Sequence, residues 1–216
     1  MTYDAAKRAL DVAGALIGLV LAAPVWLAVA ILIRLDSPGP VVYRGTRIGR
    51  QGRPFRMWKF RTMVADADRT GVWSTAADDP RITRVGRLLR ATKLDELPQL
   101  VNVLAGDMSL VGPRPQVAAD VARYTDEERE LLTVRPGITD EASIRFRNES
   151  EILRGHPDPD AAYDALIRPE KSRLGLAYVR SRALSTDLRI LADTARVALR
   201  LPGAPPPAPL PPSGER

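Results

Sequence analysis

The most constraining feature of this chain is an uncharged segment of 22 residues, from Val12 to Ile33. As one straight helix the segment would span roughly 33 Å at about 1.5 Å per residue, close to the thickness of a bilayer's hydrocarbon core. A secretory signal peptide fits poorly, because its apolar run is shorter and leads into a small-residue cleavage site. The segment therefore predicts a helix that enters a membrane.

The path of this helix through the membrane is predicted from its flanks. Lys7 and Arg8 precede the segment, and arginines follow it at positions 34, 44, 47, 50 and 53. Positively charged flanks favour the cytoplasmic side, and a straight span can place only one flank there. Pro24 lies in the middle of the segment, where it removes a backbone hydrogen bond and kinks the helix. We predict a re-entrant helix-hairpin over residues 1–38, broken at Pro24; a single transmembrane anchor is the alternative.

Composition limits the chemistry of the remaining chain. The 216 residues, 45% of them hydrophobic, suffice for one globular domain with a short appendage. There is no cysteine and one histidine, His156, which excludes disulfides, thiolate nucleophiles and histidine-rich zinc sites. Any metal should be a hard cation such as Mg²⁺ on carboxylates. The net charge of +6 suits nucleic acid, anionic lipid or phosphorylated substrates equally well.

The predicted fold is mostly α-helical with a short β-hairpin. Two strands, 41–43 and 55–60, are separated by glycines, and a polar, mobile loop is expected over 64–80. Apolar periodicity predicts helices over 82–91, 97–105, 115–134, 159–181 and 184–201. The last of these is amphipathic and carries arginines, so it can pack on a core or lie at a membrane surface. Residues 39–201 form the predicted catalytic domain, and 202–216 form a disordered proline-rich tail without catalytic content.

Two adjacent carboxylates, Asp95 and Glu96, are the first candidate site residues. Pro98 follows closely, which puts Asp95 near a helix N-terminus, where free N–H groups favour anions and phosphates. A purely structural interpretation makes Asp95 a helix cap and Glu96 a residue that complements the helix dipole. From this pair alone, that structural interpretation is the commoner one.

Cationic residues around the pair favour a phosphate site. The rigid turn Gly112-Pro-Arg-Pro115 presents Arg114, and Lys59 ends the second predicted strand. Arg145 and Arg147 follow a second rigid turn at 135–137. Cations and Mg²⁺ can neutralise a diphosphate while a carboxylate attacks phosphorus, giving an aspartyl-phosphate type of intermediate.

Five motifs in order along the chain make the sequence recognisable. They are the Pro24-containing apolar helix, Lys59-Phe-Arg-Thr-Met63, Leu94-Asp-Glu-Leu-Pro-Gln-Leu100, Asn102-Val-Leu-Ala-Gly-Asp-Met-Ser-Leu-Val-Gly-Pro-Arg-Pro115 and Val134-Arg-Pro-Gly-Ile-Thr139. The chain resembles the bacterial sugar transferase family, the monotopic polyprenyl-phosphate phosphoglycosyl transferases, from about residue 3 to residue 201. The family's fold is a re-entrant membrane helix with amphipathic helices lying at the interface of one leaflet.

The resemblance implies a reaction and roles for specific residues. Asp95 would attack the β-phosphate of a UDP-sugar and release UMP, and a polyprenyl (undecaprenyl) phosphate would then take the sugar phosphate from Asp95. Glu96 would bind Mg²⁺ with Asp95 or move a proton, and the sequence leaves these two roles open. The implied phosphate-binding residues are Lys59, Arg90, Arg114 and Arg147. The implied location is the cytoplasmic face of the inner membrane, among phospholipids, at the first membrane step of surface polysaccharide or glycoconjugate synthesis, with downstream glycosyltransferases as partners.

The chain departs from the family pattern in two places. Ala23 stands where many members have Ser before the proline, so the predicted hairpin relies on Pro24 and the charged flanks. Many members continue Arg-Pro-Gly-Ile-Thr with Gly-Trp-Ala-Gln-Val, whereas this chain has Asp140-Glu-Ala-Ser-Ile144. The second departure leaves the identity of the sugar open.

Two alternatives remain from the sequence. One is a membrane-tethered protein that binds nucleic acid or anionic lipid through the basic, aromatic-containing run of residues 44–61. That reading gives the Asp95-Glu96 pair no purpose, and no nucleic-acid partner is expected. The other is a member of the same family that uses a different nucleotide or has lost activity, and the intact pair argues against loss.

Overall fold

A computed structural model describes residues 2–65, 67 and 74–210 of the chain. Its helices and strands follow in this order: α1 (Tyr3–Asp36), β1 (Val42–Ile48), β2 (Pro54–Phe60), α2 (Arg84–Thr92), α3 (Gln99–Ala105), β3 (Ser109–Val111), α4 (Ala118–Val121), β4 (Gly137–Thr139), α5 (Glu141–Arg145), α6 (Glu149–Ile152), α7 (Pro159–Leu166), α8 (Arg168–Arg180) and α9 (Leu184–Ala198). The mostly helical fold with a short hairpin is confirmed.

Helix α1 is long and apolar enough to cross a membrane. Its 34 residues correspond to about 51 Å at ~1.5 Å per residue. Most of its large apolar side chains are exposed, as expected for a lipid-facing surface: Leu16, Ile17, Val20, Leu21, Val25, Leu27, Ile31, Leu32 and Leu35. Helical structure continues through Pro24, so the predicted break is not an end of the helix. The re-entrant path and the boundary at residue 38 stay predictions.

Both halves of α1 pack on the rest of the protein. In the first half, Ala15 joins an apolar cluster with Val103 and Met108, and Gly18 lies so close to Leu100 that an added Cβ would be 3.0 Å from Leu100 Cδ1. In the second half, Val29 and Ile33 cluster with Phe60 and Leu89.

Polar contacts hold the two ends of α1 as well. Arg8 donates to the carbonyls of Val103 and Leu104 at 2.7 and 2.9 Å. Asp36 accepts from the backbone N–H of Val85, in the first turn of α2, at 3.1 Å. Both ends of the apolar helix therefore contact the same polar body.

The β-hairpin is confirmed and is longer than predicted. Strands β1 and β2 pair antiparallel, with Val42 opposite Phe60 and Ile48 opposite Pro54. The connection is a 3₁₀ turn (Arg50–Gly52) in which Gln51 and Gly52 have positive φ values of 59° and 73°. This hairpin places Lys59 at the end of β2, beside α2 and α3.

A parallel pair of short strands, β3 and β4, was not predicted. Ser109 pairs with Gly137 and Val111 with Thr139. The turns beside these strands lie back to back, because a Cβ on Gly137 would come within 2.1 Å of Gly112 N. Glycine at both positions thus lets the turn that carries Arg114 pack against the second rigid turn.

Two of the predicted helices are wrong in extent. The single helix over 115–134 is instead α4 and a 3₁₀ segment (Glu128–Thr133). Thr125 and Glu128 form a reciprocal capping box, with N–H···O distances of 3.0 and 3.1 Å, which starts the second segment afresh. The helix over 159–181 is divided at Ile167 into α7 and α8. Pro169 lies in the first turn of α8, where a proline is tolerated, whereas in the interior of one continuous helix it would remove a backbone hydrogen bond.

The other predicted helices correspond to α2, α3 and α9. Residues 66 and 68–73 of the predicted loop lie outside the described residues, and residues 74–80 form turns. The interfacial position of the amphipathic helices stays a prediction.

The proline-rich tail differs from the prediction where the structure describes it. Residues 202–210 contain no helix or strand, yet Ala208 is buried in an apolar cluster with Phe146, Ile152 and Leu153. Its N–H donates to Arg145 O at 2.7 Å. A disordered state is therefore wrong for this part of the tail, because one small apolar residue among the prolines fills a core position. Residues 211–216 lie outside the described chain.

Candidate active site

The Asp95-Glu96 pair lies in a tight turn between α2 and α3. Helix α2 ends at Thr92, Lys93 adopts a left-handed conformation with φ 58°, and a 3₁₀ turn (Leu94–Glu96) follows. A non-glycine residue in this region costs free energy that the surrounding structure must supply. The turn directs both carboxylates toward the end of β2.

Asp95 has the features of a reactive side chain. It is 5% exposed, and its Oδ1 atom has no hydrogen-bond partner among the described residues. Its Oδ2 atom is 3.7 Å from Lys59 Nζ. Burial raises the pKa of the Asp95 carboxyl; Lys59 opposes this rise and the neighbouring Glu96 charge adds to it. The structural interpretation of Asp95 as a helix cap does not hold, because it makes no capping hydrogen bond.

Glu96 is held firmly by two cations. Lys59 Nζ lies 3.0 Å from Glu96 Oε1. Arg114 forms a bidentate interaction with the same carboxylate, with Nη1 3.2 Å from Oε2 and Nη2 hydrogen-bonded to Oε1. Burial acts to raise the pKa of Glu96, but Arg114 and Lys59 outweigh it and hold this pKa well below its usual value. Glu96 therefore stays ionised and fixes both cations beside Asp95.

Two further cations complete the electrostatic surroundings. Arg90, on the last turn of α2, donates from Nε to Thr62 Oγ1 at 3.1 Å and attracts the Asp95 charge. Gly86 permits this approach, because a Cβ there would come within 2.0 Å of Thr62 O. Lys93 is exposed, and its positive charge attracts Glu96 and Asp95. Lys93 is a site residue that the sequence analysis missed; its position two residues before Asp95 was the available signal.

Of the six predicted site residues, the structure brings five together: the carboxylate pair, Lys59, Arg90 and Arg114. Lys59 and Arg114 touch the pair, and Arg90 influences Asp95 electrostatically. Arg147 instead donates from Nη1 to Ile144 O at 3.0 Å and to Pro205 O in the tail at 2.9 Å. Its assignment as a phosphate ligand stays a prediction.

A second buried polar group near the pair lacks partners. Gln99, in the first turn of α3, is fully buried, and neither its Oε1 nor its Nε2 has a hydrogen-bond partner in the described part of the chain. Unpaired buried polar atoms are uncommon and are typical of binding or catalytic sites. Gln99 was quoted within a motif but given no role by the sequence analysis.

The end of β2 connects the pair to α1. Two residues after Lys59, Arg61 donates to the carbonyls of Ser37 and Pro38, each at 2.7 Å, and so covers the C-terminal end of α1. Side chains two residues apart on an extended chain leave the same face. The carboxylate pair and the end of the apolar helix are thereby held by neighbouring residues.

A carboxylate pair enclosed by cations, beside a long apolar helix, is typical of membrane-associated proteins with a site for anions. The chain belongs to the bacterial sugar transferase family, whose family model matches residues 2–201.

Several curated proteins are similar to the chain. It is 39% identical over 194 residues to the UDP-glucose:undecaprenyl-phosphate glucose-1-phosphate transferase of Escherichia coli (strain K12), covering 86% of this chain and 38% of that protein. It is 36% identical over 210 residues to the galactosyl transferase CpsE of Streptococcus agalactiae, covering 92% of this chain and 43% of that protein. It is 41% identical over 199 residues to the exopolysaccharide production protein PSS of Rhizobium leguminosarum, covering 87% of this chain and 92% of that protein. The chain thus spans less than half the length of the first two relatives.

Proposed function

We propose that the protein transfers a sugar-1-phosphate from a UDP-sugar to polyprenyl (undecaprenyl) phosphate and releases UMP. The observation that carries this proposal is the buried Asp95 Oδ1, which has no hydrogen-bond partner among the described residues and adjoins an ionised Glu96 whose charge is balanced by Lys59 and Arg114. Relatives whose names specify UDP-sugars and undecaprenyl phosphate support the same substrates.

The first half of the reaction is a displacement at the β-phosphorus of the donor. Ionised Asp95 attacks this phosphorus, the bond to the bridging oxygen breaks, and UMP leaves with the bonding electron pair. The sugar phosphate is then carried on Asp95 as an acyl phosphate. The leaving group is an anion, so the step needs positive charge rather than a proton donor, and Lys59, Arg90 and Arg114 supply that charge.

The second half returns Asp95 to its starting state. An oxygen of the polyprenyl phosphate attacks the same phosphorus, the bond to Asp95 breaks, and the carboxylate is regenerated. The product is a polyprenyl diphosphate-linked sugar. No net proton transfer occurs in either half, which supports Glu96 as the residue that positions Lys59 and Arg114 rather than as an acid.

Asp95 and Glu96 fit a shared role in holding Mg²⁺ together with the diphosphate. One carboxylate oxygen of the pair is unpaired, and Mg²⁺ commonly takes one or two carboxylates plus substrate phosphates. Among the described residues no cluster of three or more acidic or histidine side chains could hold a metal alone. The ion would supply additional positive charge to the diphosphate.

The proposed location is the cytoplasmic face of the inner membrane, with α1 re-entrant among the phospholipids. A straight span would separate its ends by a bilayer, whereas Arg8 and Asp36 both contact the polar body. The positive flanks support the cytoplasmic side. Cysteines introduced at positions 5 and 35 should react with an impermeant reagent from one side only, and labelling from opposite sides would contradict this path. Downstream glycosyltransferases would extend the product.

The covalent intermediate can be tested directly. The protein in detergent or nanodiscs is incubated with a UDP-sugar and Mg²⁺ but no acceptor, then digested and examined by mass spectrometry. A phosphosugar adduct on the peptide containing Asp95 is expected, and Asp95→Asn should carry none because a carboxamide is a poor nucleophile. Product formation with no adduct on Asp95, under rapid-quench conditions, would overturn the covalent path.

A further inference from the structure

A cavity lies beside the turn that carries Arg114. Its walls come from this turn, from α5, from α7 and α8, and from the segment after α4. The residues that matter for its chemistry are Arg114, Gln116, Tyr124, Ser143, Tyr163 and Lys171. The chemistry proposed above assigns a role to Arg114 alone among these residues, so the cavity itself has no assigned ligand.

The cavity adjoins the reacting atoms through Arg114. The same guanidinium that forms its wall contacts both carboxylate oxygens of Glu96, next to Asp95. In a UDP-sugar, one oxygen atom separates the sugar from the phosphorus that Asp95 attacks. A donor whose diphosphate is held by Arg114 therefore has its sugar within reach of this cavity.

The charged groups of the cavity are already paired. Lys171 contacts the Glu149 carboxylate and lies 5.1 Å from the centre of the Tyr163 ring. Arg168 contacts Glu128 at 3.4 Å and stands over the Tyr124 ring at 6.0 Å. With cations against both rings, the cavity offers less aromatic surface for stacking a nucleobase.

The uncommitted groups of the cavity are neutral. The Ser143 hydroxyl, the Gln116 amide and the hydroxyls of Tyr124 and Tyr163 make no hydrogen bond within the described ranges 2–65, 67 and 74–210. Neutral donors and acceptors match the hydroxyl and N-acetyl groups of a sugar.

Ser143 lies at a well-defined point of this wall. Asp140 caps α5 by accepting from the Ser143 N–H at 2.6 Å, so the position of Ser143 is fixed at the start of the helix. Ser143 also stands where many family members have Gln, within the stretch that departs from the family pattern. The serine side chain extends less far from the helix than a glutamine would.

We infer that this cavity receives the sugar of the donor and that Ser143, with Gln116, determines which sugar is accepted. This inference rests on the proposed function. A hydroxyl that bonds one sugar but not its epimer favours the first by the free energy of about one hydrogen bond. A larger side chain at the same position would favour sugars without an N-acetyl group, because it would exclude that group.

The test compares Ser143→Ala and Ser143→Gln with wild type in UMP-release assays. The donors are UDP-glucose, UDP-galactose, UDP-N-acetylglucosamine and UDP-N-acetylgalactosamine, with undecaprenyl phosphate as acceptor. Ser185→Gln, an exposed position on α9, is the matched control. We expect the ratio of kcat/KM between the best and second-best donors to change by roughly three- to tenfold in at least one Ser143 variant. The inhibition constant of UMP should be unchanged.

Each other outcome has a separate meaning. Equal loss for all donors together with weaker UMP inhibition would overturn the inference and place the nucleoside in the cavity. Ratios and UMP inhibition identical to those of Ser185→Gln would exclude the cavity from donor binding. Thermal unfolding of each variant shows whether a loss reflects misfolding, which would affect all donors alike. Failure of the wild type with all four donors would instead contradict the proposed function for these substrates.

Discussion

The protein buries two groups of carboxylates, and they are satisfied in different ways. The first is the pair Asp95 and Glu96. The second, which we call the α1 anchor, joins Asp11 in α1 to Asp187 in α9 through Lys7, whose Nζ is 3.7 Å from Asp11 Oδ1 and 3.4 Å from Asp187 Oδ2. Both groups contain two acidic residues and a lysine.

Three of the four carboxylate oxygens of the anchor accept hydrogen bonds from neutral donors. Asp187 accepts from the hydroxyls of Tyr178 at 2.7 Å and Tyr3 at 3.1 Å. Asp11 accepts from the Ser109 hydroxyl and the Leu110 N–H, both at 2.9 Å. In contrast, Asp95 has one oxygen without a partner in the described structure and one 3.7 Å from a lysine.

This contrast separates a structural role from a reactive one. Asp11 and Asp187, which each accept two hydrogen bonds from neutral groups, join α1, β3, α8 and α9 and stabilise their arrangement. A buried carboxylate with an open oxygen is held at a cost in stability and is available to react. Burial and charge alone would not have distinguished the two groups.

The largest expected effect is the loss of the UMP-release rate in the Asp95→Asn variant. UMP release should fall by at least about 10³-fold, because the nucleophile is lost while the cations remain. The thermal unfolding temperature of this variant should not fall below that of wild type. The raised pKa of Asp95 means that its contribution to stability is present at low pH and lost as the pH rises through the folded-state pKa, so a neutral residue suits the buried site at neutral pH. A thermal unfolding temperature below that of wild type, or turnover above a few per cent, would contradict the contrast.

The opposite result is expected for Asp187→Ala. Two tyrosine hydroxyls and Lys7 lose their buried acceptor, so the free energy of unfolding should fall by about 3 kcal/mol. UMP release per folded molecule should stay within about threefold of wild type, since Asp187 is not at the carboxylate pair. Asp193→Ala, which breaks an exposed pair with Arg196 on the same helix, is the control and should cost less than about 1 kcal/mol. Loss of activity without loss of stability would give the anchor a role in the reaction.

The smallest and most diagnostic effect is on the pH profile. Asp95 must be ionised to attack, so kcat/KM should fall as the pH drops through its raised pKa. Lys59 lowers that pKa, so Lys59→Met should move the acid limb of the profile to higher pH in addition to weakening donor binding. Asp187→Ala should leave the limb in place. An acid limb unmoved by Lys59→Met would show that another group titrates there.

The sequence predicted the carboxylate pair and its nearest cations because these residues fall in contiguous motifs. Lys59, Asp95, Glu96 and Arg114 meet as expected. The open oxygen of Asp95 could not be predicted, since it depends on the left-handed Lys93 and on which side chains Glu96 already occupies. A motif shows which side chains are neighbours in the chain, whereas the folded structure determines which of their atoms have hydrogen-bond partners.

Long-range pairings were also beyond the sequence. Strands β3 and β4 are three residues each and pair across 28 positions, too short for a periodic signal. The capping box at Thr125 was missed because the prediction followed apolar periodicity, which a single capping residue does not change. The buried Ala208 was missed because the prediction for the tail followed its proline content. The two ends of the anchor, Asp11 and Asp187, are much further apart in the chain, at 176 positions.

The end of β2 fixes the distance between the carboxylate pair and the apolar helix. Lys59 contacts Asp95, the proposed nucleophile, and Arg61 donates to the carbonyls of Ser37 and Pro38 directly after the apolar helix; about 7 Å of extended chain separates the Cα atoms of Lys59 and Arg61. In the reaction we propose, the height of the phosphorus above the hydrocarbon is set by that helix and not by the lipid acceptor. The protein would then contact only the phosphate end of the acceptor, so we expect isoprenoid chains of different length to serve nearly equally well.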